Sequence, residues 1–183
     1  MTPTVVIPDS GPLYSLAAGD LLGILERFPL RITDVVKQET IDKGCLAGCS
    51  PEAQRLLQFY NRHARHIRVV PTQVGAQLES SRQGNPNFNQ PRDLGELSIQ
   101  SHLIQIHALN EPILPMVLFE DSWFFENRAG LPKSCILIST EMFLRNAEKL
   151  QIIHSAQKAR QAIHTARPNA SLFCCNIDLR QSL

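Results

Sequence analysis

Short apolar runs alternate with stretches of helically spaced apolar residues along most of this chain. Apolar, often β-branched runs predict five buried strands, at residues 5–7, 30–32, 67–70, 116–119 and 135–138. Between them, apolar residues three and four positions apart predict helices, the first from residue 13 to residue 25. Strands that alternate with helices are typical of a three-layer α/β/α sandwich with a mainly parallel sheet, which is the predicted fold class.

Capping residues mark where further helices begin. Thr33 or Asp34 is a suitable N-cap for a helix that runs past Glu39 to about residue 44. Ser50, which precedes a proline, marks a second helix start, because proline is well tolerated in the first helical turn.

A further helix is predicted to start at Asp93, after the stretch 84–91, whose Gly, Asn and Pro residues predict a loop. Asp93 followed three positions later by Glu96 has the spacing of a capping box. The apolar residues downstream leave little polar surface, so the helix is expected to be largely buried. Glu96, in the first turn of this helix, is therefore not expected to be a plain solvated residue.

The chain divides into a predicted domain, residues 1–153, and a C-terminal extension, residues 154–183, packed on the same domain. The extension is expected to contain a helix and an edge strand at residues 171–175. A homodimer is predicted because the extension carries apolar residues that need cover, namely Ile163, Leu172 and Phe173.

Composition narrows the class of protein. With 183 residues, 43% hydrophobic and 19% charged, the chain is expected to be globular rather than disordered. Its net charge of +1 gives no overall field that would attract nucleic acid, so any such binding must come from a local patch. No apolar stretch approaches the roughly 20 residues that span a bilayer. Five cysteines without framework spacing fit a reducing compartment, and a cytoplasmic protein is predicted.

Acidic residues follow two of the predicted strands directly. Asp9 and Ser10 come after the first strand, and Glu120 and Asp121 come after the strand at 116–119. Either Asp9 or Ser10 would also serve as a plain cap of the helix that follows. Ligands of open α/β sheets bind outside the carboxyl ends of the strands, so two acidic exits favour one shared acidic pocket.

Four carboxylates on different elements are expected to converge at this edge of the sheet, namely Asp9, Glu39, Glu96 and Asp121. Two carboxylates about 5 Å apart repel by roughly 3 kcal/mol at an effective dielectric constant of 20. A divalent cation relieves this repulsion, and oxygen ligands without Cys or His select Mg²⁺ or Mn²⁺. A cation held this way orients water for attack on a phosphodiester, which is the chemistry of a metal-dependent nuclease.

Five segments in this order resemble the PIN-domain family: VVIPDS (5–10), VVKQE (35–39), DLGE (93–96), LFED (118–121) and ISTEMFL (138–144). The resemblance covers roughly residues 5–153. Each segment is weak alone, but the order and spacing together are fairly specific. The resemblance implies a three-layer nuclease whose acidic pocket binds Mg²⁺ or Mn²⁺. Many members are VapC-like toxins that cut RNA and pair with an antitoxin protein.

Carried over by position, the resemblance makes Asp9, Glu39, Glu96 and Asp121 the catalytic acids, of which Asp9, Glu96 and Asp121 hold the metal. Ser10 matches the hydroxyl residue that supports the first acid. Two positions stay open, because many members carry an Asp where Asp93 stands and because Glu120 is adjacent to Asp121. Asp93 and Glu120 are therefore predicted to be supporting residues of the acidic site.

The densest basic stretch holds Arg62, Arg65 and Arg68, and it is the first candidate for contacts with a nucleic-acid backbone. Most such runs are only solvated faces.

The leading functional prediction is thus a Mg²⁺- or Mn²⁺-dependent endoribonuclease, a toxin-type ribonuclease with an RNA substrate. Two alternatives are kept: a DNA-directed nuclease of the same fold, and a catalytically silent module that binds RNA or a protein partner.

Overall fold

The computed structural model describes residues 2–42, 50–85, 88–173 and 175–181, in which six strands form one sheet in the order β3–β2–β1–β4–β5–β6. The strands are β1 (Thr4–Pro8), β2 (Leu30–Thr33), β3 (Ile67–Val70), β4 (Leu114–Phe119), β5 (Ile136–Ser139) and β6 (Asn176–Asp178). Strands β1 to β5 are parallel, and β6 pairs antiparallel to β5. The predicted three-layer α/β/α class is confirmed.

Eight α-helices occur in the described residues: α1 (Ser10–Ala18), α2 (Asp34–Lys37), α3 (Pro51–His63), α4 (Gln73–Gly84), α5 (Leu94–Ala108), α6 (Trp123–Glu126), α7 (Thr140–Lys149) and α8 (Ala156–Ala166). Helix α1 packs against α3 and α8, and α8 also packs against α7. Helix α5 packs against α2 and α4. No described helix has both the length and the apolar character needed to cross a membrane.

The central strands are apolar throughout because helices cover both faces of a parallel sheet. Val6, Ile7, Val117, Leu118 and Leu137 have no exposed surface. Each such side chain stabilises the fold by roughly 1.5–3 kcal/mol relative to exposure to water. This burial fixes the strand positions and, with them, the carboxyl edge of the sheet.

Several predicted boundaries are confirmed. All five predicted strands are present within one or two residues of their expected ends. Thr33 caps α2 by accepting a hydrogen bond from the Val36 N–H, and Ser50 caps α3 in the same way through Ala53. These caps satisfy N–H groups that have no partner within the helix.

Two predicted elements are wrong. The helix expected over residues 13–25 is broken, because α1 ends at Ala18. Asp20 then adopts a left-handed conformation (φ 57°) before a 3₁₀ segment at Leu22–Arg27. The edge strand expected at residues 171–175 lies instead at Asn176–Asp178. The spacing of apolar residues does not indicate that the backbone changes direction at Asp20.

Helix α5 begins where predicted, but its predicted capping box is wrong. Asp93 is the N-cap residue, yet its φ is 59° and its side chain makes no capping hydrogen bond. The helix is also less buried than expected, since Leu97 and Ile104 are 37% and 50% exposed. They line an apolar groove between α4 and α5 with a volume of about 780 Å³.

The C-terminal extension adds α8 and β6 to the same sheet and core. Ile163 and Leu172 are buried within the chain itself, and Phe173 packs near the rings of Phe119 and Phe125. Because the chain itself covers these three residues, they give no reason to expect a homodimer, which stays a prediction. The end of the predicted helix at residue 44, part of the loop at 84–91 and Cys174 lie outside the described residues.

Candidate metal centre

The acidic residues meet at the point where the order of the strands reverses. From β1 the chain proceeds to β2 and β3 on one side, and β4 returns to the other side of β1. Asp9 follows β1, and Glu120 and Asp121 follow β4, so all three stand at the carboxyl edge of neighbouring parallel strands. The Asp9 N–H donates to the Leu118 carbonyl (2.9 Å), which fixes Asp9 to β4. Crevices at such reversal points are the usual ligand sites of open α/β sheets.

The side chain of Asp9 is not occupied in capping a helix. Asp9 holds the N-cap position of α1 with extended backbone angles, but its carboxylate makes no capping hydrogen bond. The residue is buried, with 5% of its surface exposed. A buried carboxylate without this structural use is available for chemistry, and the plain capping role considered for Asp9 is wrong.

Glu39 reaches the same place from a widened helical turn. Helix α2 runs directly into a π-type segment, Gln38–Asp42, which rotates Glu39 relative to a regular helix. Ser10 Oγ donates to Glu39 Oε2 (2.7 Å), and the Tyr14 hydroxyl donates to the Glu39 carbonyl (3.2 Å). These two bonds tie the widened turn to the start of α1.

The structure brings Asp9, Glu96 and Asp121 together into what we call the three-acid group. One carboxylate oxygen from each lies within 4.8 Å of the others. At that separation each pair of ionised groups repels by roughly 3 kcal/mol at an effective dielectric constant of 20. Because the ligand set consists of carboxylates alone, it fits a hard cation such as Mg²⁺ or Mn²⁺.

The three-acid group lies in an open cavity of about 390 Å³, the acidic pocket. Its carboxylates are Asp9, Glu39, Asp93, Glu96, Glu120 and Asp121. The remaining described lining residues come from the start of α1, from Leu94 and from the segment after α8: Ser10, Gly11, Leu94, Arg167, Asn169, Ala170 and Ser171.

Burial and mutual repulsion change how these acids titrate. Burial, opposed by the Ser10 N–H and assisted by the charges of Asp121, Glu39 and Glu120, raises the pKa of Asp9 to about 7. Burial, the charge of Asp9 and a hydrogen bond with Asp121 raise the pKa of Glu96 to about 8. Without a cation, the pocket therefore retains protons near neutral pH.

The two acids at the end of β4 occupy different surroundings. Asp121 belongs to the three-acid group and accepts a hydrogen bond from the Trp123 N–H (2.9 Å). Glu120 is buried, and burial raises its pKa despite the nearby hydroxyls of Ser15 and Thr140 and the guanidinium of Arg167. Similarly, Glu96 belongs to the three-acid group, whereas Asp93 is exposed at the rim of the pocket.

The basic stretch is not brought to the pocket. Arg62 lies in the last turn of α3, Arg65 in the turn that follows, and Arg68 is the second residue of β3. This places them at the amino edge of the parallel sheet, opposite the acids, and all three are exposed. Their contact with nucleic acid stays a prediction, at a distance from the three-acid group.

Gly95 is a site residue that the sequence analysis missed. A Cβ atom at this position would lie 3.1 Å from both Asp9 Oδ1 and Glu39 Oε2. Helix α5 therefore approaches the acids closely only because its second residue has no side chain. A glycine inside a helix that begins beside a candidate ligand was the available signal.

We expect Gly95→Ala to weaken Mn²⁺ binding by about tenfold, because the added methyl group pushes two carboxylates out of place. Calorimetric titration of the metal-free protein with Mn²⁺ measures this. Gly84→Ala is the matched control, since a Cβ atom there meets nothing within 4 Å. Equal Mn²⁺ affinity in both variants would mean that the close approach of α5 has no part in metal binding.

Comparisons with protein-family models, with curated proteins and with solved structures gave no significant match. The resemblance to the PIN-domain family thus rests on the segments and their order in the sequence.

Proposed function

We propose that this protein is a Mg²⁺- or Mn²⁺-dependent endoribonuclease of the PIN-like type. The observation that carries the proposal is the three-acid group, in which carboxylate oxygens of Asp9, Glu96 and Asp121 lie within 4.8 Å of one another. Their position where the strand order reverses adds support, because that crevice is open to a ligand.

The residues present fit the proposed cation. Protons that Asp9 and Glu96 retain near neutral pH mark a place where positive charge is needed, and an all-carboxylate set suits Mg²⁺ or Mn²⁺. When bound, such a cation supplies Lewis-acid polarisation of a phosphoryl oxygen and lowers the pKa of a bound water.

The protein's own part is to position the acids. Asp9, Glu96 and Asp121 would hold the cation, and the Ser10 hydroxyl orients the Glu39 carboxylate through its 2.7 Å hydrogen bond. Glu39 lines the pocket outside the three-acid group, and it would accept a proton from the attacking water.

RNA is proposed as the substrate on the strength of the resemblance, which also suggests a toxin role with an antitoxin partner in the cytoplasm. The alternatives make different predictions: a DNA-directed nuclease would cut matched DNA, and a silent module would bind RNA without cutting it.

Glu96→Gln tests the proposal. We expect Mn²⁺-dependent cleavage of a single-stranded RNA to fall by about a hundredfold or more, since even outer-shell changes cost 10–100-fold. The assay follows a labelled RNA and a DNA of the same sequence on a gel, with and without a chelator. Glu148→Gln is the control. It removes the same charge as Glu96→Gln, but Glu148 is exposed on α7 and lies outside the acidic pocket. Chelator-insensitive cleavage, or full activity in Glu96→Gln, would refute the proposal.

A further inference from the structure

Arg167 reaches the acidic pocket because α8 stops at the residue before it. Pro168 disfavours helical angles at the preceding residue, and Arg167 accordingly has φ −130° and ψ 78°. The chain then turns through residues 167–170, closed by a hydrogen bond from the Ala170 N–H to the Arg167 carbonyl (3.0 Å). The turn carries Arg167, Asn169 and Ala170 to the wall of the pocket.

The guanidinium of Arg167 is held at one of its nitrogens. Nη1 donates to the Gly11 carbonyl (3.0 Å) and to Ser15 Oγ (2.6 Å), and it lies 3.7 Å from Glu120 Oε2. The group also lies 5.8 Å from the ring centre of Tyr14. Both of these hydrogen bonds use Nη1, while the side chain is 29% exposed. A guanidinium has five N–H donors, so a fixed Nη1 leaves donors for a ligand.

The charge balance of the pocket makes Arg167 unusual. Among the described residues that line the pocket, it is the one basic side chain beside six carboxylates. It stands on the Glu120 side and is not part of the three-acid group. An anionic substrate that enters this pocket is repelled by the carboxylates that the cation does not neutralise, so a fixed cationic donor at the wall favours its binding.

We propose that Arg167 binds a phosphate of the substrate and thereby makes the acidic pocket selective for phosphodiesters. This rests on the proposed function, because it concerns the substrate of the same site. The guanidinium is suited to the task, since it presents paired donors that match phosphate oxygens and stays charged at all relevant pH values. Its anchorage on Gly11 and Ser15 places it before the substrate arrives, which lowers the entropy lost on binding.

A purely structural Arg167 would behave differently, and the sign of the change in metal affinity separates the two roles. If Arg167 only ties α8 to α1, its loss loosens Asp9 and Ser10, and both Mn²⁺ and RNA bind more weakly. If it binds phosphate, its loss weakens RNA binding but removes a positive charge near the three-acid group. Mn²⁺ then binds as tightly as before or more tightly.

The experiment compares Arg167→Gln, Arg167→Lys and Arg160→Gln with the parent protein. Arg160→Gln is the matched control, because Arg160 lies on α8, the helix that Arg167 follows, and pairs with Glu141 away from the pocket. Mn²⁺ affinity is measured by calorimetry. Affinity for a labelled single-stranded RNA is measured by fluorescence anisotropy at several salt concentrations, with Ca²⁺ as the cation and a gel to verify that the RNA stays intact.

We expect Arg167→Gln to lose about tenfold in RNA affinity and to reduce the salt slope by about 0.7, the value for one phosphate contact on a single strand. Its Mn²⁺ affinity should be equal to or higher than that of the parent, and Arg160→Gln should match the parent in both. Arg167→Lys should keep Mn²⁺ binding and lose part of the RNA affinity, because a lysine lacks the paired donors.

Parental RNA affinity in Arg167→Gln overturns the proposal, as does a joint loss of Mn²⁺ and RNA binding in that variant. If Arg167→Gln does not fold, parental RNA affinity in Arg167→Lys overturns it instead. A parent protein that binds no Mn²⁺ contradicts the proposed function itself, which distinguishes that failure from a failure at Arg167 alone.

Discussion

Asp9→Asn should abolish Mn²⁺-dependent RNA cleavage, with a loss of about a hundredfold or more, and should remove most of the stabilisation that Mn²⁺ gives. Asp9 contributes an oxygen to the three-acid group, and asparagine keeps its size but not its charge. Parent and variant are compared in the gel assay and in thermal melts with and without millimolar Mn²⁺.

The melts carry a quantitative expectation. A ligand that binds only the folded state stabilises it by roughly 2.7 kcal/mol at a hundred times its Kd. With Mn²⁺ at that concentration, the free energy of unfolding of the parent should rise by about that much, and that of Asp9→Asn by much less. Without metal at pH 8, the variant should be at least as stable as the parent, because repulsion around Asp9 falls. Asp93→Asn is the control, since Asp93 lines the pocket outside the three-acid group and asparagine also accepts its left-handed backbone.

A different result would relocate the site. If Asp9→Asn is clearly less stable than the parent without metal and gains as much from Mn²⁺, Asp9 serves the fold and the metal is held elsewhere.

The metal-free protein should lose stability as the pH rises from about 5 to about 8. Folding raises the pKa of Asp9 from 3.8 to about 7 and that of Glu96 from 4.5 to about 8. Between the unfolded and folded values the native state binds more protons, so the free energy of unfolding falls with rising pH. Asp9 alone corresponds to about 3 kcal/mol over this interval, and the half-exposed Glu96 adds less because solvent screens its charge.

Urea unfolding of the chelator-treated parent and Asp9→Asn at several pH values measures this. The difference between the two proteins isolates Asp9 from the other titrating groups, and it should grow in favour of the variant as the pH rises. Mn²⁺ should stabilise the parent more at pH 8 than at pH 5.5, since it displaces protons at the lower pH. A difference that stays constant with pH would show that Asp9 is not raised in pKa by folding.

The fold was predictable because its strongest signals are local. Val6, Ile7, Val117 and Leu118 belong to uninterrupted apolar runs, which are expected of strands that are covered on both faces. Acids that follow such strands within one or two residues, as Asp9 and Asp121 do, necessarily reach the carboxyl edge. Residue type and strand position together therefore indicated where an acidic pocket would form.

What the sequence did not reveal depends on contacts between distant segments. The close approach of Gly95 to Asp9 and Glu39 exists only after α5 docks. Arg167 lines the pocket because α8 packs on α1, and no local pattern encodes that packing. The left-handed angles at Asp20 and Asp93, which broke one predicted helix and one predicted capping box, also depend on the surrounding chain.

The reversal of strand order between β1 and β4 has a consequence for folding kinetics. Strand β4 pairs with β1 only after the roughly hundred residues between them have been ordered or looped out, and closing so long a loop is entropically costly. The three-acid group uses residues that follow these two strands and a residue of α5, so it forms only when β4 has paired with β1 and α5 has docked. Cation binding would therefore require the completed topology, and a bound ion would stabilise the pairing of β1 with β4, which joins segments that are distant in the sequence.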